Sequence, residues 1–136
     1  MLSYQETVMN HAELRYAKSH EWSAQEGDII TVGITQYAVD QLTDVTHLQL
    51  PKVGKAVQAG TAFGEIESVK AVFDLYAPVT GSVLEVNTAV ASDPSLINTD
   101  CYGVGWMLKI QLAPGAGLAH LMTKDQYDHQ LASEAH

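Results

Sequence analysis

The chain has 136 residues, enough for one hydrophobic core and too few for two substantial ones. Sixteen acidic against seven basic residues give a formal net charge of -9, which argues against nucleic acid or an anionic membrane surface as a partner. A single cysteine, Cys101, excludes an internal disulfide and any cysteine-based metal site.

In chain order, the N-terminus M-L-S-Y-Q-E-T-V-M-N has no basic stretch leading into an apolar one, and nothing approaches a membrane span. The expected location is the cytosol, which a processed organellar form would fit equally. Asp28–Ile34 is β-branched and reads as a strand. In Thr35–Leu42 the spacing of Tyr37, Ala38 and Leu42 behind a Thr35 cap predicts a short helix. Val45–Leu50 is a strand stopped by Pro51, and Val53–Gly60 carries loop and turn chemistry. Phe63–Ser68 and Val72–Ala77 read as the arms of a hairpin with Lys70 at its tip. Pro78 and Gly81 mark the next turn, with Gly81 read as a turn requirement. Ser82–Asn87 is another strand, with Val83 and Glu85 on one face.

Asp93-Pro94 predicts a helical turn over Pro94–Asn98. Trp106, Leu108, Ile110 and Leu112 alternate with Met107, Lys109 and Gln111, which predicts a half-buried strand. Beyond Pro114 and Gly115, Leu118, Leu121 and Met122 lie at helical spacing. Thr123 with Gln126 has capping-box spacing for a last helix near Lys124–Leu131. The sum is a mostly β domain with short helices and a helical C-terminus. Strand–turn–strand units on both sides of Lys70 allow a quasi-symmetric sandwich.

Catalytic constellations are hard to assemble from this chain. His11, His20, His47, His120, His129 and His136 form no short metal-binding pair, so ordinary surface or packed histidine is the expectation. Ser68 and Ser82 have no nucleophile motif and no evident base. Gly103 and Gly105 lack the strand–turn–helix context of a nucleotide loop. Lys70 admits two readings from pattern alone. It is a solvated charge, or it is a projecting attachment point on a stiff hairpin; a Schiff-base role is disfavoured because a hairpin tip is wet.

The residues around Lys70 carry a resemblance. E-S-V-K-A followed by D-L-Y-A-P-V-T-G resembles the lipoyl-attachment hairpin of the glycine cleavage system H proteins. S-H-E-W (Ser19–Trp22), G-D-I-I-T-V-G-I-T-Q-Y-A (Gly27–Ala38), Q-L-P-K-V-G (Gln49–Gly54), A-G-T-A-F-G (Ala59–Gly64), Y-G-V-G-W-M-L-K-I (Tyr102–Ile110) and the helical tail follow that family's pattern in order. The likeness covers Tyr16 to Leu131. Residues 1–15 are then an N-terminal extension, 16–131 a single lipoyl-bearing domain and 132–136 a tail.

The resemblance implies a barrel-sandwich hybrid of the lipoyl/biotinyl kind, built from two antiparallel sheets. It implies lipoic acid joined to Lys70 as an amide, giving N6-lipoyllysine. It also implies a carrier, not an enzyme, that takes the aminomethyl group of glycine from glycine decarboxylase (P protein) to aminomethyltransferase (T protein). Dihydrolipoyl dehydrogenase (L protein) then reoxidises the arm, and lipoate-attaching enzymes load it. By the same analogy Glu21 and Asp74, with Ser19 and Trp22 close by, border a cleft for the loaded arm. Core packing is the ordinary alternative for Trp22. Glu65 is expected to solubilise the edge strand; Glu67 is left open between that and recognition by the attaching enzyme.

The chain departs from the family pattern at Thr46, His47, Gln49, Val72, Phe73, Cys101 and Val104. Other readings are an H-like paralogue that relays lipoyl groups, a lipoyl module of a 2-oxoacid dehydrogenase, a biotinyl carrier, and an unmodified interaction module. S-H-E-W and Y-G-V-G-W argue against the dehydrogenase module, and Val69 and Ala71 stand where a biotinyl carrier would have methionines. A monomer suits a carrier that visits three partners.

Overall fold

The computed structural model describes residues 13–134. Two antiparallel sheets face each other across the main core without closing into a barrel. The larger runs in the order β1 (Arg15–Tyr16), β2 (Glu21–Glu26), β3 (Ile29–Ile34), β9 (Leu108–Leu112), β8 (Gly81–Val86) and β5 (Ala56–Val57). The smaller is β4 (Val45–Gln49), β6 (Ala62–Ser68) and β7 (Val72–Tyr76), with β6 central. The sandwich is therefore unequal, six strands against three, and not quasi-symmetric.

Alternation explains the inner faces. Ile30 and Val32 of β3 lie opposite Ile110 and Leu108 of β9, and all four are fully buried. Across the core Leu48, Ile66 and Leu75 project from the smaller sheet. A helix, α1 (Gln36–Leu42), closes one end: Thr35 caps it by accepting from the Ala38 N–H, and Val39 and Leu42 bury its inner side. Two short helices, α2 (Thr88–Ser92) and α3 (Ser95–Thr99), cross between β8 and the loop that enters β9. The last helix, α4 (Lys124–Glu134), packs through Tyr127 on a second cluster of Leu14, Tyr16 and Trp22. Among the described residues no helix is long and apolar enough to cross a membrane.

Several expectations need correction. Leu118, Leu121 and Met122 lie in a loop, because Tyr16 takes both backbone groups of Met122 in 2.8 Å hydrogen bonds. Met107 is fully buried where alternation predicts exposure. The chain there passes between two cores, Trp106 packing on the second and Met107 on the first. A bulge in β8 pairs Val83 with Ile110 but Glu85 with Lys109, so Val83 and Glu85 occupy opposite faces. Gly81 has no left-handed φ. A Cβ there would lie 2.0 Å from the Gln111 carbonyl oxygen, so close strand approach, and not turn geometry, requires the glycine. The helical turn predicted over Pro94–Asn98 is present: Pro94 already has helical φ -59° and ψ -18°, and the Asp93 carboxylate caps the Ser95 N–H.

Candidate functional site

The smaller sheet ends in the β6–β7 hairpin, whose strands are joined by Val69, Lys70 and Ala71 with Val69 and Lys70 at the tip. Neither residue has a positive φ, so this is not one of the mirror-image turns that usually join hairpin arms. Ser68 supplies what the turn lacks. Its Oγ accepts from the Lys70 N–H at 3.2 Å and the Ala71 N–H at 3.1 Å, while its own N–H donates to the Ala71 carbonyl at 2.8 Å. The side chain thus replaces a backbone acceptor. Val69 N–H donates to the Asp44 carbonyl at 3.2 Å, tying the tip to the link between α1 and β4. Ser68 is buried, and Lys70 is exposed with no ion pair among the described residues. Sequence reasoning treated Ser68 only as a nucleophile without a base; its place two residues before Lys70 was the available signal for a side-chain-closed turn.

Beside the hairpin lies a cleft of about 440 Å³. Ser19 and His20 form one wall, Tyr37 and Leu42 a second, and Phe73 and Asp74 a third, with Glu134 of α4 at the margin. Asp74 lies opposite Glu65 in the hairpin register and is exposed; it reaches the cleft because β7 is the edge strand of its sheet. That register places two carboxylates side by side on one face of the hairpin.

Glu21 occupies a different place from the one expected of a cleft wall. It is 1% exposed and does not line the cavity. One carboxylate oxygen accepts from the Ser19 hydroxyl, and the other accepts from the Tyr76 N–H at 2.8 Å. That N–H belongs to the outer edge of β7, where no further strand could take it up. Glu21 therefore braces the lysine hairpin against the first sheet. Burial raises its pKa, and the hydrogen bonds from Ser19 and Tyr76 pull the other way. Trp22 is core: it is fully buried, and its indole N–H donates to the Cys101 carbonyl at 3.1 Å.

His20, expected from the sequence to be an ordinary surface or packed histidine, joins separate elements at the cleft. Its Nδ1 lies 2.8 Å from the Tyr127 hydroxyl and its Nε2 lies 3.2 Å from Glu134 Oε1. The Tyr127 hydroxyl in turn meets Thr35 Oγ1, the α1 cap, at 2.6 Å. His20 adopts φ 80°, the left-handed region, to reach this position. Of the other histidines, His120 contacts the Pro78 carbonyl at 2.7 Å and His47 and His129 are exposed; His11 and His136 lie outside the described residues. Burial pushes the Cys101 thiol up to about 12, so it packs as a neutral small side chain. Among the described residues no His, Cys, Asp and Glu side chains converge to hold a metal ion.

Comparison with known proteins bears on this geometry. The family model described as glycine cleavage H-protein matches residues 14–134. A glycine cleavage system H protein of Gloeobacter violaceus is 51% identical over 116 residues, covering 85% of this chain and 90% of that protein. One of Alcanivorax borkumensis is 46% identical over 123 residues, covering 90% of this chain and 96% of that protein. The crystal structure of a glycine cleavage system H protein from Mycobacterium marinum superposes with a TM-score of 0.82 at 41% identity, covering 89% of this chain and 98% of that one. By residue pattern, fold and these matches, the chain belongs to the glycine cleavage H-protein family.

Proposed function

We propose that this chain is the lipoyl carrier of a glycine cleavage system, with Lys70 as the lysine that is amidated. The observation that carries the reading is an unpaired, exposed amine on a rigidly closed hairpin tip beside a partly apolar cleft. The residues fit the group: the amine is open to an attaching enzyme, and the cleft lies along the strand that leaves the tip. When bound, the lipoyl group supplies a dithiolane that alternates between disulfide and dithiol forms and carries the aminomethyl group of glycine.

The protein's own contribution is positioning. Ser68 fixes the amine's backbone, Glu21 holds β7 against the first sheet, and Leu42 and Phe73 give the cleft apolar walls. Asp74 presents a carboxylate at the rim, where it favours a cationic cargo. Ser19 acts through its hydrogen bond to Glu21, which makes it a positioning residue. Glycine decarboxylase, aminomethyltransferase and dihydrolipoyl dehydrogenase are the partners this reading requires, with a lipoate-attaching enzyme to load the chain. It works as a cytosolic monomer and catalyses nothing itself.

The test is glycine-dependent release of labelled CO₂ by a glycine decarboxylase, with this chain as the limiting component. Release should scale with the lipoylated fraction and be absent with Lys70→Arg. If fully lipoylated chain supports no release where a bacterial H protein does, the glycine reading fails and the lipoyl-relay alternative replaces it.

A further inference from the structure

The Asp44 carbonyl that ties down the lysine tip lies outside the sheet. β4 begins only at Val45, opposite Ser68, and its register shifts directly after that pair. Asp44 is held instead by a side chain from a separate element. Asn98 of α3 donates through Nδ2 to the Thr43 carbonyl at 2.7 Å, and its Oδ1 accepts from the Val45 N–H at 2.9 Å. A carbonyl only accepts and an N–H only donates, so these partners fix which end of the amide is which. The two bonds bracket Asp44. Peptide planarity turns the bracket into an aim. The Asp44 carbonyl and the Val45 N–H belong to one trans peptide unit, so they point in opposite directions. With the N–H end held by Asn98, the carbonyl end is directed away from it and onto the Val69 N–H, 3.2 Å away. Thr43 shows the strain that this link carries. It is β-branched yet has φ 63°, which persists only where the surroundings over-determine it. Its N–H donates to the Val39 carbonyl at 2.9 Å, and its carbonyl is the one that Asn98 takes, so α1 and α3 clamp it from both sides.

The hairpin's own bonds through Ser68 set the shape of the tip, but not where the tip stands. Beyond the hairpin, Val69 and Lys70 are hydrogen-bonded only to Asp44 among the described residues. We infer that Asn98 is a positioning residue for lipoate attachment: through the Asp44–Val45 peptide it holds the Lys70 tip in the place that an attaching enzyme recognises. This rests on the reading of Lys70 as the attachment site. Attachment forms one bond, from the Lys70 nitrogen to the carboxyl carbon of lipoate activated as an acyl adenylate. The carbon–oxygen bond to AMP breaks, AMP leaves with its electron pair, and the amine gives up a proton. Asn98 touches none of these atoms. It acts earlier, on the fraction of molecules whose tip is in place. An enzyme that binds only that fraction loses apparent affinity in proportion as the fraction falls. The signature is a raised KM for the protein with kcat nearly unchanged.

The experiment takes the unlipoylated protein with a purified attaching enzyme, lipoate and ATP, and follows mass gain across a range of protein concentrations. Asn98→Ala should raise KM about five- to tenfold, the equivalent of one net hydrogen bond, and change kcat by less than about twofold. Asn98→Asp keeps the acceptor for Val45 and loses the donor to Thr43, so its KM should lie between. It carries the same comparison if Asn98→Ala fails to fold. Asp93→Ala is the structural control: it removes the carboxylate that caps α3 at Ser95 and leaves the Asn98 amide in place. Its stability should drop while KM stays at the wild-type value. Amide exchange before loading gives a second reading. Asn98→Ala should speed exchange at Val69 by about tenfold and leave Ile66 in β6 unchanged. Unchanged exchange at Val69 would overturn the link from α3 to the tip. Faster exchange with an unchanged KM, or an equal rise of KM in Asp93→Ala, would overturn the positioning role. Absence of mass gain in wild type would instead defeat the assignment of Lys70, and the exchange result would stand apart from it.

Discussion

At the scale of single residues, buried polar groups hold the site more than its exposed ones do. Glu21→Ala would leave the Tyr76 N–H and the Ser19 hydroxyl without their acceptor and open a small cavity, a loss of about 2–3 kcal/mol in urea unfolding. Glu21→Gln keeps an acceptor for Tyr76 and a donor for Ser19, so it should cost much less. The pH dependence tests the carboxyl group itself. Because burial raises the Glu21 pKa above its unfolded value, folding binds a proton. The resulting stability is fully present below the unfolded-state pKa and is lost as pH rises through the folded-state value. Stability curves against pH should therefore show this decline in wild type and a shallower one in Glu21→Gln. Gly81 makes the complementary point about space. Gly81→Ala drives a methyl into the Gln111 carbonyl oxygen and should cost about 3 kcal/mol, measured as a shift of the unfolding midpoint.

At the scale of elements, the hairpin and α4 are separately testable. Ser68→Ala removes the acceptor for two tip N–H groups, a loss of about 1–2 kcal/mol. A looser tip should also slow lipoate attachment, read as the rate of mass gain with a purified attaching enzyme. In α4, Thr123 N–H donates to the Gln126 side chain at 2.9 Å, and Gln126 N–H donates back to Thr123 Oγ1 at 3.3 Å. Thr123→Ala should weaken the helix by about 1 kcal/mol and speed amide exchange in α4 while leaving β6 and β7 unchanged.

Much of this was legible in the chain itself. The capping box, the Thr35 cap and the β6–β7 hairpin all follow from short-range spacing, and short-range spacing is what a sequence displays. Leu118, Leu121 and Met122 misled because their helical spacing is also local, whereas the pairing of Met122 with Tyr16 that overrides it is not. Glu21 was found as a residue of interest through resemblance, but its burial behind Ser19 and its grip on Tyr76 depend on two sheets meeting. His20 was weighed only as a metal ligand and set down as an ordinary histidine for the same reason: its partners Tyr127 and Glu134 lie more than a hundred residues away.

At the scale of the whole molecule, the architecture separates a rigid support from an exposed working end. Two sheets and their shared core position one hairpin tip, and α1, the loop before β2 and α4 build the cleft beside it. A formal charge of -9 favours partners with basic docking faces, whose association should slow as salt rises through the physiological range. All of this has a purpose only if Lys70 carries the arm. The most direct test is the intact mass of the protein produced with lipoate in a lipoylation-competent host, followed by peptide mapping. Wild type should gain the mass of one lipoyl amide, located on Lys70, and Lys70→Arg should gain none; an unmodified wild type, or a lipoyl group retained in Lys70→Arg, would contradict the account.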